Sequence, residues 1–173
     1  MTHFLRSFAV RVLAPCLAAL ASVLYAGSAH ADQMVIKFPG QHPSYVFEAE
    51  PHALVAPFNE FVPGVGFRGT VEIVDNGFVA TINNTVGITF GVDYAHKGVW
   101  FPIAMQWNFW LSRKWSVFGE PGVSIRAGDD LPKEAKLGWF AFWAGGRYHF
   151  TDHIALTMRI GHPTLSVGVS FLL

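Results

Sequence analysis

Seven ionised side chains lie in stretches where apolar and polar residues alternate: Arg68, Glu72, Asp93, Glu120, Arg126, Arg147 and Arg159. Each is flanked by apolar or small neighbours, so each points to the side of its segment opposite the bulky residues. Three acids set against four bases can do one of two things. Paired inside a packed interior, they form an interlocking salt-bridge network. Left accessible, Arg126, Arg147 and Glu120 would line a narrow ion path or a small-ligand site. Unpaired charge in a packed interior is costly, so the network is the expected arrangement, and Glu120→Ala should strand guanidinium groups and lower stability.

Other chemistry has less support. A nucleophile needs a base within hydrogen-bond reach, and the nearest material is His162-Pro163-Thr164-Leu165-Ser166. Pro163 interrupts strand pairing there, which makes His162 a loop residue rather than a base. No catalytic residue is expected. The histidines at 42, 52, 96, 149, 153 and 162 stand singly, without ligand spacing, so neither a metal site nor another cofactor is expected. Of the tryptophans, Trp107 and Trp115 are expected outward, and Trp139 and Trp143 inward as interior filling.

The elements that would position these groups are strands. Residues 99–127 alternate on both sides of a short turn at Ser112-Arg113-Lys114. Phe101, Ile103, Met105, Trp107, Phe109 and Leu111 share one face, and Pro102, Ala104, Gln106 and Asn108 the other. After the turn, Trp115, Val117, Gly119, Pro121, Val123 and Ile125 face away from Ser116, Phe118, Glu120, Ser124 and Arg126. A period of two is the signature of a β-strand, and two such runs around a tight turn make a hairpin. At about 3.3 Å per residue, a strand of about twelve residues reaches roughly 40 Å. Tilted, it spans a bilayer, which takes roughly 9 to 11 residues. A bulky aromatic face opposite a mixed polar face is what the lipid side and the interior of a transmembrane barrel require. Phe101, Trp107, Phe109, Trp115, Phe140, Phe142 and Tyr148 are accordingly expected to form a lipid-facing aromatic belt.

The start of the chain reads as a targeting segment. Arg6 and Arg11 precede an apolar run from Val12 to Tyr25, and Ala29-His30-Ala31 has the small-residue pattern of a cleavage site. Residues 1–31 are therefore expected to be a signal peptide cleaved after Ala31. The single cysteine, Cys16, leaves with it, so no disulfide framework supports the rest. Removing Arg6 and Arg11 leaves two fewer bases than acids, and no basic field for nucleic acid exists. Charged residues make up only 14% of the chain against 15% aromatics, an odd balance for a secreted soluble domain but the expected one for a barrel whose strands are half apolar.

Along the chain, residues 32–50 read as a periplasmic lead-in rich in Pro, His and Gly, and 51–173 as the barrel. The expected strands are 51–58, 64–74, one beginning at Phe78 or Thr85 and ending near His96-Lys97-Gly98, the hairpin at 99–127, 137–150, 153–160 and 165–173. The third strand has two possible starts because Asp75-Asn76-Gly77 makes a tight turn, and a kink or bulge at Asn83-Asn84 would follow the earlier one. Residues 128–136 carry the densest charge and are read as a solvated outer loop.

Eight alternating strands in an exported, cysteine-free chain resemble the small outer-membrane barrels of the OmpA and OmpX type of Gram-negative bacteria. Residues 165–173 are similar to the terminal strand that the outer-membrane assembly machinery recognises, with Phe171 two residues before a terminal Leu173. The resemblance is architectural. It implies an all-β, eight-stranded antiparallel up-and-down transmembrane β-barrel with a filled polar interior, a monomer in outer-membrane lipid with a structural or surface-interaction role. Lipid A deacylase barrels pair a His and a Ser on one strand, a pattern that Thr164 interrupts here. Two alternatives stand beside this reading. One is a narrow pore for small solutes; the other is a soluble lipocalin-like carrier with the Phe101–Leu111 stripe turned inward.

Overall fold

A computed structural model describes residues 33–57, 61–95, 98–127 and 139–173. The expected signal segment and the charged 128–136 stretch lie outside the described residues. Eight strands follow in chain order: β1 (Phe47–Pro57), β2 (Phe61–Val74), β3 (Asn84–Ala95), β4 (Gly98–Trp110), β5 (Trp115–Ala127), β6 (Trp139–His149), β7 (Ile154–His162) and β8 (Leu165–Leu172). Each pairs antiparallel with the next, and β8 returns to β1, which closes the barrel. Closure leaves no edge strand with unpaired backbone groups.

The period-two pattern explains both surfaces. In β4 the even-numbered positions Pro102, Ala104, Gln106, Asn108 and Trp110 are buried, while Phe101 and Ile103 are exposed. In β5 the polar partners Ser116, Glu120 and Ser124 are buried and Val117, Val123 and Ile125 are exposed. This reverses an ordinary soluble barrel: charged side chains fill the inside and the large apolar ones cover the outside.

Several boundaries differ from the sequence reading. β7 runs on to His162, which pairs with Phe142, so His162 is a strand residue and not the loop residue expected from Pro163. β1 begins at Phe47, so Phe47–Glu50 belong to the barrel and not to the lead-in. Pro51, which has no N–H to donate, does not end it. The β1–β2 ladder runs through Pro51↔Phe67, while the β1–β8 pairing lapses at residues 50 and 51. β2 starts at Phe61 rather than 64, and β3 at Asn84, which settles its start against Phe78. The register irregularity falls between Glu72 and Val74 rather than at Asn83-Asn84. The 75–83 connection turns at Gly77, whose φ is 38°. Asn84 then fastens it, donating to the carbonyls of Val79 and Ile82 at 2.8 and 2.7 Å and accepting from the Trp107 indole at 2.8 Å.

Residues 33–46 form a strap against the barrel end that carries the short β4–β5 and β6–β7 turns. Backbone bonds run from Val35 N to Leu111 O at 3.0 Å, from Asn83 N to Ile36 O at 2.7 Å and from Glu72 N to Val46 O at 3.0 Å. Val35 and Tyr45 of the strap pack with Trp110 and Leu172 in one buried apolar cluster. Burial of the Tyr45 phenol raises its pKa, since the phenolate would lose its water.

Candidate functional site

The chemistry-bearing groups gather inside the barrel. Arg159 on β7 is the hub of one half. Its Nε donates to Glu120 Oε2 at 3.0 Å and its Nη2 to Glu120 Oε1 at 3.2 Å, while its Nη1 bonds both carboxylate oxygens of Glu50 on β1. Glu120 also accepts from Gln106 Nε2 of β4 at 2.7 Å. Ser170 Oγ of β8 donates to Glu50 at 3.4 Å.

Arg68 extends the network to the far side. Its Nη2 donates to Asp93 Oδ2 at 2.9 Å, its Nη1 lies 3.6 Å from Glu120 Oε2, and its guanidinium carbon stacks 4.5 Å over the Trp143 ring. Asp93 Oδ1 is bonded in turn to His52 Nε2 at 2.9 Å. This last contact spans three strands, because His52 pairs with Gly66 and Gly66 with Asp93. A Cβ at Gly66 would fall against both His52 Nε2 and Asp93 Oδ1, so the missing side chain is what lets the two meet.

A second cluster sits nearer the strap. Arg147 on β6 donates to Glu48 Oε2 on β1 at 2.6 Å and to Asn108 Oδ1 on β4 at 3.4 Å. Phe118 touches both clusters, with the Arg147 guanidinium carbon 4.5 Å and that of Arg159 5.0 Å from its ring centre. Gly145 makes room for that ring, since a Cβ there would strike it. Together the two clusters draw side chains from every strand of the barrel. Their Arg, Asp and Glu members are at most 4% exposed, and His52 is 6% exposed.

Of the seven expected interior charges, the structure brings together five: Arg68, Asp93, Glu120, Arg147 and Arg159. Two stand apart. Glu72 is half-buried at the strapped end, where its neighbour is Asp75 rather than a cation, so it is not a member of the ion pairs. Arg126 is half-buried near the opposite end, stacked 4.8 Å over Trp100, with no carboxylate within ion-pair range among the described residues. The expected solute-facing set of Arg126, Arg147 and Glu120 is therefore split: two are fully buried in separate clusters and one lies near a mouth.

The sequence reading missed the counter-ions. Glu48 and Glu50, each 1% exposed, hold Arg147 and Arg159. Their signal lies in Glu48, Glu50 and His52, which repeat at period two immediately before Leu54, but the Pro, His and Gly around them give the segment the look of a lead-in. Trp110, fully buried, lies on the inward parity of β4.

The belt residues lie on the outer side. Phe101, Trp115, Phe140 and Phe142 are exposed, and Trp107, Phe109 and Tyr148 are partly covered by one another and by neighbouring rings. Trp143 is buried inside, where Arg68 covers it; the Trp139 side chain lies outside the described residues. Thr164 is buried and receives the Trp143 indole N–H at 3.4 Å, which places this hydroxyl in a packing contact. Among the described residues no group of three or more His, Cys, Asp or Glu is placed to hold a metal ion.

No family model and no curated protein matches the chain. Among solved structures it is similar to the de novo designed protein TMB2.3, determined by solution NMR, with a TM-score of 0.52 and 12% identity over 75% of this chain and 94% of that one. At that identity the likeness is one of fold. The class defined by architecture and interior is thus an eight-stranded antiparallel up-and-down closed β-barrel with a charged, filled core.

Proposed function

We propose that the mature chain is an outer-membrane β-barrel of a Gram-negative bacterium, monomeric, non-enzymatic and without a cofactor, with a structural or surface-interaction role. The observation that carries this reading is the inversion of the two faces. Ion pairs and amides fill the inside, while Val65, Phe67, Ile88, Phe90, Ile103, Val123 and many like them stand exposed outside. In water such an outer surface would be an aggregation hazard; in lipid it is the solvated face. Trp107, Phe109, Trp115 and Tyr148 cluster toward the strapped end, where indole and phenol rings suit the headgroup level.

The strapped end, where β1 begins and β8 ends, is assigned to the periplasm, and the longest connection, that between β5 and β6, leaves from the other end. The opposite end, where 128–136 is connected, faces outward and would carry any surface interaction. In this reading residues 1–31 direct export and are removed after Ala31. Residues 165–173 engage the assembly machinery, and outer-membrane lipid is the standing partner. The packed interior favours a structural barrel over a narrow pore, and its charge favours a membrane barrel over a lipocalin-like carrier.

Membrane fractionation with gel mobility before and after boiling tests the assignment. Recovery in the outer membrane with a heat-dependent mobility shift is the expected outcome, and recovery as a soluble protein without detergent would overturn it. Stepwise conductance of the purified protein in a planar bilayer would replace the structural role with that of a pore.

A further inference from the structure

A cavity of about 330 Å³ opens at the strapped end, between the strap and two of the turns. Gly40, Gln41, His42 and Pro43 form its strap side, and Arg113 of the β4–β5 turn and Asp152 of the β6–β7 turn complete the lining. Small-molecule sites begin at this size, about 300 Å³. The two charged side chains are of opposite sign, yet they do not meet. Neither has an ion-pair partner among the described residues.

The backbone around the cavity is fixed on every side. In the β4–β5 turn the Ser112 hydroxyl accepts from the N–H groups of Lys114 and Trp115 at 3.2 and 3.1 Å, and Lys114 O accepts from His149 N at 2.8 Å. In the β6–β7 turn Thr151 Oγ1 accepts from His153 N and Ile154 N at 3.2 and 3.1 Å. One device, a hydroxyl bonded to the backbone two and three residues on, thus holds both turns. The strap is pinned as well. Met34 bridges to Ser112, Asn83 Nδ2 donates to Gln41 O at 3.0 Å, and the buried His42 ring stacks 5.5 Å from Trp110 with its Nε2 3.1 Å from Asp75 O. A guest would therefore find the wall already ordered, which spares the entropy cost of arranging it.

Charge then selects the guest. A simple cation would meet Arg113 and a simple anion Asp152, so an ion of either sign gains one contact and is opposed by the other. A molecule carrying both signs satisfies both. Its carboxylate takes the paired N–H groups of the guanidinium, and its ammonium meets the Asp152 carboxylate. The Gln41 amide, which both donates and accepts, suits either end. We propose that this cavity is a binding site for a small zwitterion, an amino carboxylic acid of a few carbons. His42 serves there as a wall, since its Nε2 is engaged by Asp75 O. The site shares no residue with the interior ion pairs, and it does not rest on the membrane assignment.

The test uses the full mature chain, labelled with nitrogen-15, in micelles of an uncharged maltoside whose headgroup does not compete. Glycine, γ-aminobutyrate and ε-aminohexanoate are titrated in turn, with butyrate and butylamine as probes of one charge each. At least one amino acid should shift the backbone amides of Gly40, Gln41, Arg113 and Asp152 saturably. Butyrate and butylamine should bind about tenfold more weakly, since each leaves one charged contact unmade. Arg113→Gln and Asp152→Asn should each weaken the same amino acid by about tenfold, with the unboiled gel band unchanged, because both side chains are exposed in turns. No saturable shift with any of the three amino acids overturns the site. Equal binding of butyrate or butylamine overturns the zwitterion in favour of a simple ion, and parent-like affinity in either variant overturns the pairing of the two charges on one guest.

Discussion

Replacing Glu120 by Ala is the sharpest perturbation of the interior. The carboxylate is completely buried, accepts from Arg159 and Gln106 and lies 3.6 Å from Arg68. Removing one partner of a buried ion pair costs about 3–5 kcal/mol, because the charge left behind remains in a low-dielectric site. Here both guanidinium groups keep a second carboxylate, Asp93 for Arg68 and Glu50 for Arg159, which places the loss near the lower end of that range. The stranded Gln106 amide adds about 1 kcal/mol. A total near 4 kcal/mol is a large share of the ~5–15 kcal/mol that holds a typical domain folded. Glu120→Gln should lose less, since its amide oxygen still accepts one N–H. Urea titration of the folded protein in phosphatidylcholine vesicles, read by tryptophan fluorescence and by the unboiled gel band, measures both. A Glu120→Ala variant within about 0.5 kcal/mol of the parent, the range of an inert surface change, would refute the claim that these ion pairs hold the barrel.

Further outcomes follow from the same geometry. Gly66→Val should push His52 away from Asp93 and cost about 1–3 kcal/mol by overpacking, seen as a lower urea midpoint, whereas Gly119→Ala, whose Cβ would make only an ordinary 4.0 Å contact with the Phe142 ring, should not. Val35→Asp should place a carboxylate in the apolar cluster under the strap. Protease should then cut within 33–46 while the remaining barrel keeps its heat-modifiable mobility. The Tyr45 phenol has its pKa raised by burial above the ordinary value of 10.0. Its contribution to holding the strap is therefore complete below about pH 10 and is lost as pH rises past that value, because only the released phenol ionises there. Amide exchange of Val35 should accelerate above pH 10 in the parent and show a smaller alkaline step in Tyr45→Phe.

The barrel was legible because a closed sheet with unlike faces repeats its pattern at every second residue. Gln106, Asn108, Glu120, Arg147 and Arg159 needed only parity to be placed inside. Parity gives the face and not the partner, which explains the errors. Arg126 has the inward parity of Glu120 but lies six residues along the same strand, too far from the buried acids to join them. Glu48 and Glu50 escaped because their alternation abuts a stretch of Pro, His and Gly, and because Pro51 sits between them and the clearer part of the strand. Whether 33–46 enters, covers or extends the barrel could not be read from local pattern. Its contacts are with Leu111, Asn83 and Leu172, residues distant in the chain, and no periodicity encodes such a docking.

The pairing of β1 with late strands also sets the order in which the molecule can be made. Glu48 waits 99 residues for Arg147 and Glu50 waits 109 for Arg159. Loop closure over such distances is slow, and until it happens each end of the chain carries charges without counter-ions. A half-built sheet of early hairpins would thus hold Glu48 and Glu50 without their cations, and a sheet of late hairpins Arg147 without its carboxylate, although Arg159 would already have Glu120. Neither half is a tolerable resting state in an apolar medium. The ion pairs that lock the finished barrel therefore also act as a checkpoint, admitting the two halves only as a whole.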